Sequence, residues 1–252
     1  MTHDSEKYRI LNRDMVKLLA IATMTLNHFA GCFWEPSHPW YDTFLYIGYF
    51  TAAVMCYFLA EGYHYTHSKT RYAERLLVFA LLSQIPFDLA FSHGKRPKFV
   101  RGNMLFTLLI CFGLLVCMEY VRDRTLRILT MFVLIFAASY SDWGILAPLF
   151  VIFFEKLRGS RRKTAGAFLL AAVLDWGACF SSEIYYHGWG IAGNAVITGI
   201  KDCAGILAAG IVITFLYNGK SAEKSHAFYK WFFYIFYPLH LLIFGIIRVS
   251  LL

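Results

Sequence analysis

The chain is a series of apolar runs, most of them near the length of a bilayer crossing, separated by short clusters of Lys and Arg. A helix needs about 20 mostly apolar residues to span the hydrocarbon core. Residues 15–34, 43–61, 76–91, 103–118, 164–180 and 230–247 are clear candidates. Of the 252 residues, 58% are hydrophobic and 16% are charged, whereas an average soluble domain has about 25% charged. A soluble protein of this size cannot hide so much apolar surface, because most of its exterior faces water. Composition excludes a soluble enzyme, a disordered chain and a nucleic-acid-binding domain. The net charge is +8. Its residues lie between apolar runs, which is a topology signal and not a phosphate-binding face. One integral membrane domain over residues 1–252 is expected.

Two stretches need a choice. Residues 128–154 are long for one span and short for two, and Ser139-Tyr140-Ser141-Asp142-Trp143-Gly144 is turn chemistry. Basic clusters flank both ends, so a hairpin of two short helices keeps both on one side. Residues 184–219 are interrupted by Lys201-Asp202; one tilted helix over 191–217, with that pair buried, is preferred over two spans. The result is an all-α polytopic bundle of about nine helices, ten being possible, with a cytoplasmic N-terminus. Inside segments then carry Lys7, Arg9, Arg13 and Lys17, then Lys69, Arg71 and Arg75, and further clusters as far as Lys224 and Lys230. The loop 93–102 breaks the rule, with Lys95, Arg96, Lys98 and Arg101 outside. Either it meets something acidic or the third helix, short and holding Pro86, is re-entrant.

Ionisable groups in membrane helices are costly and are functional candidates by default. His28 falls two-thirds along the first span and His240 in the middle of the last. Asp88, Asp142 and Asn103 cluster towards the outer side. A histidine beside carboxylates suits general-base chemistry, though polar pairs also serve helix packing and permeation. Lys201-Asp202 can equally be a neutralising contact network. On the inner side, residues 61–75 combine cations, hydroxyls and aromatic rings, among them Glu61, His64, Arg71, Tyr72 and Arg75. Arg forks hold phosphates and rings stack on a base, so a nucleotide-like ligand fits there as well as ordinary interfacial anchoring does. His64 and His67 lack further ligands, and no metal site is expected. The six cysteines form no C-x-x-C pair; Cys32 and Cys179 fall near the outer face, where a disulfide is open.

Several ordered motifs resemble the TraX family of membrane proteins. They are Lys17-Leu18-Leu19-Ala20-Ile21 with Asn27-His28, Glu61-Gly62-Tyr63 with Thr66, Tyr72, and Arg75-Leu76. Ser83-Gln84-Ile85-Pro86-Phe87-Asp88, Asn103 with Phe106-Thr107-Leu108, Asp142-Trp143-Gly144 and Tyr237-Pro238-Leu239-His240-Leu241 follow in family order. The resemblance covers nearly the whole chain. The family commonly has Asp-His at Asn27-His28, Glu at Gln84 and Tyr at Trp143. Asn27 can hydrogen-bond His28 but cannot balance an imidazolium, so Asp88 or Asp142 would supply that charge.

The resemblance implies acetyl transfer from cytoplasmic acetyl-CoA to an amine, the N-terminus of a pilin subunit in the conjugation-associated namesake, or to a hydroxyl. It also implies a bacterial inner or plasma membrane. His28, Asp88, Asp142 and His240 would be catalytic. Glu61, His64, Arg71, Tyr72 and Arg75 would hold the donor, and Asn27, Asn103 and Thr107 the acceptor, which is a peptide, polysaccharide or lipid. Two other readings stay open: a transporter, motivated by Lys201-Asp202 and His240, and a non-catalytic assembly factor for surface structures.

Overall fold

The computed structural model describes residues 8–92, 94, 96, 98–220 and 226–251, the side chains of 226–230 excepted. Lys7, Lys95, Lys224 and the Lys230 side chain, all counted above, lie outside the described residues. The described residues form ten α-helices and no strand. These are α1 (Arg13–Phe33), α2 (Tyr41–Tyr65), α3 (Lys69–Phe91), α4 (Met104–Tyr120), α5 (Arg124–Ala138), α6 (Leu146–Lys156), α7 (Arg161–His187), α8 (Ala192–Asp202), α9 (Ala204–Ile211) and α10 (His226–Ser250). Helices α8 and α9 form one path, broken at Cys203 and closed by a π-helical turn, Val212–Leu216.

Local sequence sets the helix starts. Asn12, Ser68, Asn103, Asp123 and Ser160 each accept a hydrogen bond from a backbone N–H of the following first turn, as short polar caps do. The paths alternate in direction. One end of the bundle is tied by Arg13–Glu61, 2.8 Å, by His64–Glu155, 2.7 Å, and by Lys69–Glu119. There the chain at Leu11 also pairs with Tyr217. We call this the basic end. At the opposite end Gly102 pairs with Ser141, and Arg248 donates to the carbonyls of Leu89 and Gly94.

The outer surface is that of a membrane protein. Five paths are long and apolar enough to cross a bilayer: α1, α2, α7, residues 189–216 and α10 from Trp231. On α3, Leu77, Val78, Leu81, Leu82 and Ile85 are exposed, while Ser83 and Asp88 are buried. That polarity is the reverse of a soluble helix. On α5 the exposed face is Leu129, Phe132, Val133 and Phe136; a continuous apolar face of this kind marks contact with a membrane or another protein.

The hairpin expected at 128–154 is present as α5 and α6. The third helix is 23 residues long and continues unbroken through Pro86. The second helix runs on to Tyr65, which shrinks the expected loop of 61–75 to Thr66–Ser68. The pair Lys201-Asp202 is not buried as a unit: Lys201 is exposed and Asp202 half-buried. Neighbouring positions on a helix point about 100° apart, and only Asp202 turns towards α7 and α2. All six cysteines are free thiols.

Helix α2 is the central element, touching α1, α4, α6 and α9. Small residues let it be approached closely. A Cβ on Gly205 of α9 would lie 2.3 Å from the Tyr46 carbonyl oxygen and 2.7 Å from the Phe50 nitrogen, both backbone atoms of α2. Backbone cannot yield as a side chain can. Gly205→Val is therefore expected to destabilise by more than the about 1–3 kcal/mol of ordinary overpacking, read as loss of the monodisperse peak in detergent.

Candidate functional site

A cavity of about 1330 Å³ penetrates the bundle. Its lining reaches from Arg13, Lys17, Tyr72 and Arg75 at the basic end to Asp142, Trp143, Asp175 and Asp202 at the other. Helix α1 supplies a stripe along it: Arg13, Lys17, Ala20, Met24, Asn27, His28 and Gly31 all line the cavity. These positions recur at three- and four-residue spacing, which is one helix face.

The centre of the cavity is a histidine pair. His28 Nδ1 and His240 Nε2 are 2.8 Å apart, and the ring planes are within 4° of parallel. His240 Nδ1 lies 2.9 Å from the Phe236 carbonyl oxygen. A carbonyl only accepts, so His240 carries its proton on Nδ1. In the neutral pair His240 Nε2 is then the acceptor, and His28 donates to it from Nδ1. The hydrogen-bond network thus assigns His28 the tautomer with a free lone pair on Nε2. Of the two, His28 is the one that lines the cavity. Phe91 and Tyr237 meet its ring edge-on, and Phe236 stacks on His240. Both histidines are more than nine-tenths buried.

The expected partners of His28 are elsewhere. Asn27 Nδ2 donates to the Leu45 carbonyl oxygen at 2.8 Å. It ties α1 to α2 and leaves His28 alone. Asp88 accepts from Gln84 Nε2 and from the Val100 backbone N–H, each at 3.0 Å, so it shapes the 98–103 segment. Asn103 caps α4 and donates to the Ala80 carbonyl. The Thr107 hydroxyl donates to the Asp142 carbonyl. Asp142 itself reaches the cavity wall, with Arg101 3.9 Å away. Burial pushes the Asp142 carboxyl up from its ordinary range, against the opposing pull of Arg101. Beside it Trp143 holds φ 60, a left-handed conformation that is strained for an aromatic residue.

At the basic end the expected donor-holding residues separate into two groups. Tyr72 and Arg75 line the cavity, with the guanidinium 5.5 Å from the ring centroid. Arg71 is exposed and off the lining. His64 is paired with Glu155. Glu61 accepts from Arg13 and from the Tyr217 hydroxyl, and Tyr63 donates to Glu119. Two residues of the Glu61-Gly62-Tyr63 motif thus fasten helix ends. Sequence reasoning counted Arg13 only as a topology signal and Lys17 as that and as part of a family motif, and assigned neither to a ligand. The structure puts both on the cavity mouth, and the Nε atoms of Arg13 and Arg75 are buried without a hydrogen-bond partner.

A carboxylate pair also lines the cavity; each member is an ionisable candidate within an apolar run, but their pairing was not foreseen from the sequence. Asp175 of α7 and Asp202 of α8 face each other on the cavity wall, with Tyr49 and Cys179 beside them. Asp175 is 3% exposed and its Oδ2 has no hydrogen-bond partner. No basic side chain among the described residues pairs with either carboxylate. Both sit in apolar runs, but they are 27 positions apart and no spacing joins them. Among the described residues no cluster of three or more His, Cys, Asp or Glu has the arrangement of a metal site.

No solved structure matches the chain. A curated relative, "Probable fimbrial assembly protein FimC, serogroup H1" of Dichelobacter nodosus, is 30% identical over 236 residues, covering 90% of this chain and 91% of that one. The family model described as TraX protein matches residues 12–248, the span that holds the cavity, the histidine pair and both carboxylates. The chain therefore belongs to the TraX family.

Proposed function

We propose that this protein is a membrane-embedded acetyltransferase that takes the acetyl group from acetyl-CoA and gives it to an amine, in the setting of pilus or fimbrial assembly. The observation that carries this reading is the cavity, which joins a cationic, aromatic mouth to His28 and continues to a carboxylate pair. The fimbrial name of the relative supports the setting, and the family resemblance supports the chemistry. The basic end is taken as cytoplasmic, because Lys and Arg gather on that side of polytopic proteins.

The donor is anionic and binds Arg13, Lys17 and Arg75 at the mouth, with Tyr72 for its base to rest on. His28 lies fifteen residues from Arg13 along α1, about 22 Å of helix. A long flexible thioester arm spans that distance. The acceptor approaches from the other end, where His28 is six residues from Trp34, about 9 Å. Two facing carboxylates without a cation favour an ammonium over a hydroxyl. The ammonium gives one proton to the facing carboxylates, and its now neutral nitrogen attacks the thioester carbonyl. His28 Nε2 takes the second proton from the attacking nitrogen. The C–S bond breaks, and the thiolate leaves with the proton that His28 returns. The products are an acetamide and free CoA. His240 accepts from His28 Nδ1–H throughout and steadies the imidazolium without a carboxylate.

Calorimetry of the purified protein with acetyl-CoA tests the donor step. Saturable binding is expected, and Arg13→Ala/Arg75→Ala should weaken it by about tenfold or more, as loss of charge-assisted hydrogen bonds does. A folded protein that gives no heat with acetyl-CoA would refute the reading.

A further inference from the structure

A second cavity, of about 430 Å³, opens at the basic end and is not used by the chemistry above. Its rim is Arg9, Arg158 and Arg161, and its inner wall includes Tyr57, Phe154 and Thr214. The three arginines form no ion pair among the described residues, and Arg9 Nε is buried without a hydrogen-bond partner. Glu61 also lines this cavity, but its carboxylate is committed to Arg13 and Tyr217. Positive charge is therefore in excess there.

Two further features point inward at the same place. Helix α7, 27 residues long, begins at Arg161 on the rim. Its first N–H groups and dipole favour an anion. The Ser160 side chain caps only the Lys163 N–H. Independently, Thr214 is 4% exposed and its hydroxyl has no partner. A buried hydroxyl left unsatisfied is costly. Thr214 sits in the π-turn Val212–Leu216, and π-turns are frequent at functional sites. The unused hydroxyl, the unpaired guanidinium groups and the helix start call for one acceptor-rich anion. The rings of Tyr57 and Phe154, 5.7 Å between centroids, give it an apolar floor.

We propose that this cavity binds a phosphate group, either the headgroup of an anionic lipid in the adjoining leaflet or free phosphate. Arg forks match phosphate oxygens in pairs, and Thr214 donates to a remaining oxygen. The two cavities adjoin, with Tyr65 on the wall of both, but their cations differ: Arg13 lines the large cavity, its partner Glu61 lines the small one, and their ion pair stands between them. The proposal does not depend on acetyl transfer.

The test uses the full chain in detergent with two probes, phosphatidylglycerol by native mass spectrometry and inorganic phosphate by calorimetry. One saturable phosphatidylglycerol adduct identifies the lipid source, and phosphate heat without the adduct identifies the free ion. In either case Arg158→Ala/Arg161→Ala should weaken binding by about tenfold or more. Arg122→Ala/Arg124→Ala, in another basic turn at the same end, should leave it unchanged. Thr214→Val removes only the hydroxyl; it should melt no lower than the parent without ligand, yet bind about fivefold more weakly. Three results would overturn the proposal: neither probe binds, both double variants weaken binding equally, or Thr214→Val binds as the parent does.

Discussion

His28→Ala is expected to slow acetyl transfer by about 10²–10⁴-fold, the range a positioned general base contributes, with acetyl-CoA binding intact. The reason is local. His28 Nε2 is the free basic nitrogen of the pair, and the donor contacts lie some four helical turns away at Arg13 and Arg75. His240→Ala should cost less, about tenfold or more, because it removes the acceptor that fixes the His28 tautomer and leaves the base itself. Asn27→Ala should have little effect on the chemical step, since its amide is bonded to the Leu45 carbonyl. Steady-state rates with saturating donor separate the three. Equal losses in His28→Ala and Asn27→Ala would remove His28 from the role of base.

Asp175→Asn/Asp202→Asn is expected to raise the acceptor KM by about tenfold or more for a peptide with a free amino terminus, the scale of a hydrogen bond to a charged group. The donor KM should not move. The double variant should also melt no lower than the parent, because two facing carboxylates, one buried and one half-buried, without a cation do not stabilise the fold. A variant that fails with donor and acceptor alike would make the pair a structural feature. An unchanged acceptor KM would place the ammonium elsewhere in the cavity.

Much of the architecture was legible because bilayer length and charge clusters are local signals. The Arg and Lys clusters on both sides of 128–154 called for a hairpin, and α5 and α6 form one. The stripe Arg13, Lys17, Met24, Asn27, His28 keeps helical spacing, but nothing in the sequence joined its cations to His28 in one cavity. Contacts between distant residues were not legible. His28 and His240 lie 212 positions apart, and no periodicity pairs one with the other. The residue next to His28 seemed its natural partner, yet adjacent helix positions diverge and Asn27 faces Leu45 instead. Likewise Glu61 reads as a ligand-binding carboxylate until Arg13, 48 positions away, is found 2.8 Å from it. Lys201 and Asp202 read as a pair for the same local reason. In three dimensions Asp202 meets Asp175 and Lys201 faces outward.

The most direct measurement is acetyl transfer by the purified protein in liposomes. Acetyl-CoA is supplied on the face bearing the basic end, and a peptide with a free amino terminus on the other, with the product read by mass spectrometry. The account predicts a peptide heavier by one acetyl group, formed by the parent protein and lost in His28→Ala. A folded protein that binds acetyl-CoA yet leaves the peptide unmodified, or a His28→Ala variant that acetylates it as fast as the parent, would contradict it.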